Sequence, residues 1–100
     1  MAEGDICSGS VTLIDGSYTL ITPSVSGQEW IIHNIYIPQG SAVDIYHYNN
    51  NGSIREIKIF STTQSLCGYF FHCNEDNCIK VVNNSGFTIY VGYDGIQTSE

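Results

Sequence analysis

A chain of 100 residues with 42% hydrophobic side chains is one domain, able to bury roughly two-thirds of its unfolded surface without metals or disulfides. Its formal charge of −7 leaves three basic residues, Arg55, Lys58 and Lys80, too few to neutralise a phosphate backbone or hold an anionic bilayer. Nucleic acid and membrane are therefore not expected as partners, and a 13% share of charged residues leaves Asn, Ser, Thr, Gln and Gly to dress the surface, as suits packing among neighbours.

The N-terminus, Met1-Ala2-Glu3-Gly4-Asp5, lacks the positive and apolar regions of a signal peptide. No apolar run approaches the ~20 residues of a spanning helix. The expectation is a soluble product of the cytosol with reduced thiols.

Residues 1–9 read as an arm, flexible alone and ordered against a neighbour. Ser10 to Ile14 alternates in polarity and ends at Asp15-Gly16, a hairpin signal that predicts pairing with Ser17 to Thr22. Pro23 to Gln28 is a loop. Glu29 to Ile37 holds the single tryptophan and four isoleucines. Both of its parities, Trp30/Ile32/Asn34/Tyr36 and Ile31/His33/Ile35/Ile37, are largely apolar, which predicts a central strand covered on both faces.

Ala42 to Asn49 is the fourth strand, with Val43, Ile45 and His47 opposite Asp44, Tyr46 and Tyr48. Asn49 to Gly52 is a turn, because Asn and Gly tolerate positive φ. Ile54 to Phe60 follows, with Ile57 and Ile59 expected inside and Glu56 and Lys58 outside. Leu66 to Cys73 and Cys78 to Asn83 are the sixth and seventh strands. Phe87 to Tyr93 is the last, with Phe87, Ile89, Val91 and Tyr93 inward, and Asp94-Gly95 breaking it before a tail at 96–100.

Eight short strands at 8–12-residue spacing without an amphipathic helix predict an all-β, antiparallel β-sandwich over residues 10–95, jelly-roll or Greek-key. The expected core is Trp30, Ile32, Ile35, Val43, Ile45, Ile57, Ile59, Phe71, Ile89 and Val91.

Chemistry is sparse. Cys73 and Cys78 flank the 74–77 turn and, on paired strands, would stand about 4.5–5.5 Å apart, within disulfide range. A Cys73–Cys78 bridge and two reduced thiols both remain open. A zinc site from His72, Cys73 and Cys78 lacks ligand spacing. The acidic turn Asn74 to Asn77 supplies too few oxygens for calcium. His33, His47 and His72 fall on three strands with no nucleophile motif beside them, and Asp44 with Glu56 is an undistinguished carboxylate pair. Neither an enzyme nor a cofactor is expected. Asn51-Gly52-Ser53 and Asn83-Asn84-Ser85 match the glycosylation pattern but read as turns. Tyr46, Tyr48 and Tyr90 fall opposite the core parity and suit an interface or a sugar-stacking platform.

Two stretches carry a resemblance. Glu29-Trp-Ile-Ile-His-Asn-Ile-Tyr-Ile precedes Val43-Asp-Ile-Tyr-His-Tyr, and the chain closes with Asn83-Asn-Ser-Gly-Phe-Thr-Ile-Tyr-Val-Gly-Tyr-Asp-Gly. Together they resemble small β-sandwich virion proteins of tailed bacteriophages, of the head decoration, cement or head-fibre type. The resemblance implies a non-enzymatic structural protein, made in the host cytoplasm and carried in the virion. It would bind the major capsid protein or neighbouring virion subunits and stabilise the particle as a homo-oligomer, taken as a trimer. Contacts are expected from the arm (Ala2, Glu3, Asp5, Ile6) and from Tyr46, Tyr48 and Tyr90. A carbohydrate- or receptor-binding module using those tyrosines is the alternative.

Overall fold

The computed structural model describes residues 6–23, 27–49, 55–74 and 76–99. The expectations for Ala2, Glu3 and Asp5, and for the Asn51 pattern, lie outside them. Eight strands are present: β1 Ile6–Leu13, β2 Tyr18–Ile21, β3 Glu29–Tyr36, β4 Val43–Asn49, β5 Arg55–Thr62, β6 Leu66–Cys73, β7 Asn77–Asn83 and β8 Ile89–Ser99. They form two four-stranded antiparallel sheets, β1-β8-β3-β6 and β2-β7-β4-β5.

The pairing follows one rule. β1 pairs with β8, β2 with β7, β3 with β6 and β4 with β5, as in a long antiparallel ribbon folded at its middle. Rolling that ribbon brings β8 beside β3 and β7 beside β4, and the result is a jelly roll. Among the described strands, β4 and β5 are the one pair of chain neighbours that hydrogen-bond as a hairpin.

The Asp15-Gly16 turn thus joins two sheets and does not close a hairpin. The same holds for the 74–77 turn, so Cys73 and Cys78 sit on strands of different sheets. A turn signal specifies a chain reversal; which sheet receives the returning strand depends on distant partners.

The inner faces meet in a core of Ile21, Ile32, Ile35, Val43, Ile45, Ile79, Val81 and Val91, with Leu13, Trp30, Leu66, Phe71 and Ile89 around them. β3 reaches this core by a β-bulge. Ile32 faces Gly95 and Asn34 faces Asp94, so His33 is an extra residue against β8. The buried parity switches there from Trp30 and Ile32 to Ile35 and Ile37. The apolar character of both parities reflects this switch, and a doubly covered strand is the wrong reading: Tyr36 and half-buried Ile31 lie on the outer face.

A second bulge changes β5. Ile45 pairs with Phe60 and Tyr46 with Lys58, leaving Ile59 as the extra residue. Phe60 packs on the core, while Ile57 and Ile59 are 58% and 40% exposed. They are not core residues, because β5 is an edge strand and the bulge turns it away. Phe87 is also exposed, since it precedes β8 rather than opening it.

Asp94-Gly95 does not end the last strand. β8 runs on to Ser99, with Gln97 buried, and β1 begins at Ile6, so residues 6–9 and 96–99 belong to the sandwich rather than to an arm and a tail. Gly95 is needed for this: a Cβ there would lie 2.0 Å from the Ile31 carbonyl oxygen. Glycine lets β8 approach β3 closely without interrupting the ladder.

Candidate functional site

The ends of the sandwich differ. At the end formed by the close of β7 and the start of β8, buried Asn83 donates through Nδ2 to the Leu13 carbonyl (3.0 Å) and the Phe87 carbonyl (2.7 Å). Its Oδ1 accepts from the Ser85 N–H and hydroxyl. The backbone of Asn83 is tied to Gly16 and Ser17, and the Gly86 N–H donates to Asp15. With its side chain committed and buried, Asn83 is a structural clasp in the position of its glycosylation pattern.

At the other end lies a cavity of about 270 Å³, lined by Glu29, Trp30, His47, His72, Cys73, Asn74, Asn77 and Thr98. β3, β6 and β8 supply one wall and β4 and β7 the other. The Trp30 indole N–H is buried and has no acceptor among the described residues. The Asn74 Oδ1 accepts the Asp76 and Asn77 N–H groups, and the Asn77 Oδ1 accepts from Asn49. His47 and His72, widely separated in the chain, converge here.

Cysteine chemistry at this end is suppressed. Cys7, Cys73 and Cys78 are buried free thiols, and Cys67 is exposed. Burial pushes the Cys73 thiol up to about 12, with the neighbouring Cys78 adding to the rise, and burial raises Cys7 and Cys78 as well. The Cys73 Sγ is also turned to the Phe71 carbonyl. A protonated, occupied thiol is a poor nucleophile and a poor metal ligand. Among the described residues no group of three or more His, Cys, Asp or Glu side chains is placed to hold a metal ion.

The outer face of the β1-β8-β3-β6 sheet carries a cross-strand row. Ile6 faces Ile96, Ile96 faces Ile31 and Ile31 faces His72. Ile6 is 75% exposed and Phe70, whose ring meets His33 edge-on, is 71% exposed. Tyr36 and Tyr90 are exposed on the same sheet. In the next row Asp94 accepts from Asn34 (2.6 Å) and from the Tyr36 hydroxyl (2.7 Å); that bond to a carboxylate raises the Tyr36 phenol above its usual range.

The outer face of the other sheet carries a charged and aromatic cluster. The Lys80 ammonium lies 4.3 Å from the Tyr18 ring centroid and 5.9 and 5.8 Å from those of Tyr46 and Tyr48. It also pairs with Glu56, which raises its own pKa. Lys58 pairs with Asp44. Of the three tyrosines expected to act together, Tyr46 and Tyr48 are half-buried here and Tyr90 is on the opposite sheet. They form no single platform. Tyr18 and Lys80 complete the cluster instead, and only the β2–β7–β4 pairing brings them to it.

Comparison with known protein families and with characterised proteins gives no match.

Proposed function

We propose that this chain is a non-enzymatic assembly protein of the virion type, a jelly-roll subunit that seats on a capsid as a decoration or cement protein, or a minor head or tail protein, and stabilises the particle. The observation that carries this reading is the Ile6–Ile96–Ile31 row, with Phe70, Tyr36 and Tyr90, on the outer face of a folded sheet. Large apolar side chains gathered on one outer face mark a surface that another protein covers. The motif resemblance supplies the partner: the major capsid protein or a neighbouring virion subunit, met by a homo-oligomer such as a trimer. Many small contacts of this kind bind a particle tightly by multivalency. Jelly rolls also serve as lectin and cupin domains, so the fold alone does not choose among these roles.

The test is sedimentation of purified protein with capsids, alongside its mass by light scattering. The expected result is a defined oligomer that pellets with capsids, and loss of pelleting in an Ile6→Asp, Phe70→Asp double variant. A strict monomer with no affinity for capsids overturns the proposal.

A carbohydrate- or receptor-binding module is the second reading, favoured by the Tyr18, Tyr46 and Tyr48 rings around Lys80. Aromatic faces beside a hydrogen-bonding cation suit sugar recognition. Glycan-array binding lost in Tyr48→Ala would support it, and an array without signal at millimolar ligand would count against it.

A further inference from the structure

β5 ends the β2-β7-β4-β5 sheet, so one side of its backbone meets no other described strand. We infer that a second copy of this chain docks on that edge, by antiparallel pairing of β5 with β5 about a two-fold axis at Ile57.

Four strands lie at sheet edges: β1, β6, β2 and β5. Only β5 among them carries charged residues, Arg55, Glu56 and Lys58. It also leaves Ile57 and Ile59 exposed. An unpaired edge with apolar side chains is a template for another strand. The other edges suit one less well. β2 has four residues, β6 leaves the extended conformation at Gly68 (φ 78°), and β1 has no charge to set a register.

The order of charges along β5 selects the occupant. An antiparallel two-fold at Ile57 sets Ile57 against its own copy, Glu56 against the second copy's Lys58, and Lys58 against the second copy's Glu56. Moving the axis one residue either way sets Lys58 against Lys58 or Glu56 against Glu56, and like charges directly opposite are destabilising. Within one chain Lys58 pairs with Asp44, and Glu56 with Lys80. Across the axis these join into a row of alternating sign: Asp44, Lys58, then Glu56 and Lys80 of the second copy. Symmetry supplies that row twice.

A lysine on an edge ordinarily keeps strands away. Here the matching glutamate stands two residues before it, so the edge admits its own copy and repels an unmatched strand. Each chain carries −7, and two of its three basic residues, Arg55 and Lys58, lie on this strand, which makes it the least repulsive line of approach. The bulge at Ile59 ends the regular ladder and keeps the contact short.

The experiment measures the mass of the full chain by sedimentation equilibrium, alone and as Glu56→Lys, Lys58→Glu and Ile57→Asp variants, each checked for a wild-type far-ultraviolet spectrum. The wild type should dimerise with a Kd of about 10 μM. Each variant sets like charges across the axis and should weaken self-association at least about tenfold. Mixed in equal amounts, the Glu56→Lys and Lys58→Glu chains should recover the dimer, because each supplies the charge that the other lacks. A wild type that stays monomeric to about 1 mM overturns the inference. So does an oligomer that none of the variants weakens, or a mixture no more associated than its parts. Capsid pelleting is tested through Ile6 and Phe70 on the other sheet, so failure here and failure of the assembly proposal are distinguishable.

Discussion

The two ends of the sandwich satisfy their buried polar groups differently. At the Asn83 end, one amide side chain makes bonds to Leu13, Phe87 and Ser85 and clasps β1, β7 and the entry to β8. At the Trp30 end, the Asn74 Oδ1 serves the backbone of its own turn, and the Trp30 indole N–H is buried without an acceptor among the described residues. A buried polar group that is fully paired specifies a fold; one left over costs stability.

The largest expected effect concerns the β3–β8 seam that both ends share. Gly95→Ala forces a Cβ to within 2.0 Å of backbone oxygen and should cost more than about 3 kcal/mol, a large fraction of the stability of a domain this size. Urea denaturation or soluble yield would show it. Asn83→Ala comes next: it leaves the Leu13 and Phe87 carbonyls without their donor at a buried site and should cost about 3 kcal/mol in the same assay. Trp30→Phe sharpens the contrast, because it removes a donor that has no partner to lose. Its net effect should stay within about 1.5 kcal/mol, the loss of ring volume opposing the relief of a buried orphan. If Trp30→Phe costs as much as Asn83→Ala, the contrast between the ends is false.

Thiol labelling probes the same division more gently. Cys67 should react with a maleimide in the native state well before Cys7, Cys73 and Cys78, counted by mass spectrometry. The pH dependence follows from Cys73, whose thiol is raised in the fold from 9.0 to about 12. Preference for the protonated thiol favours folding fully below about pH 9 and is lost as pH rises toward 12, so unfolding and labelling should accelerate across that window. The smallest effect is at exposed Tyr36: Asp94→Asn should bring its phenol back down toward the ordinary range, read by ultraviolet titration against the wild type.

The strand inventory could be read from alternation and turn residues. The sixth strand, Leu66 to Cys73, has the predicted bounds, and the others differ by a few residues, most at the chain ends. The surface clusters could not be read. Tyr18 and Lys80 lie far apart in the chain and meet only because β2 and β4 both pair with β7. The cavity was equally hidden, since His47, His72 and Glu29 come from three strands in two sheets. Neither bulge is legible in the sequence, because periodicity assigns faces on the assumption that every residue is paired. One unpaired residue, His33 or Ile59, reverses that assignment for everything beyond it.

Local chemistry settled which segments are extended and where the chain turns, because side-chain alternation and positive-φ residues act over a few positions. Sheet membership, the two parity switches, the continuation of β8 through Gly95 and the contrast between the ends were settled by tertiary packing. Those features depend on which distant strands compete for each edge and on how closely two backbones can approach, and neither quantity is contained in any one stretch of sequence.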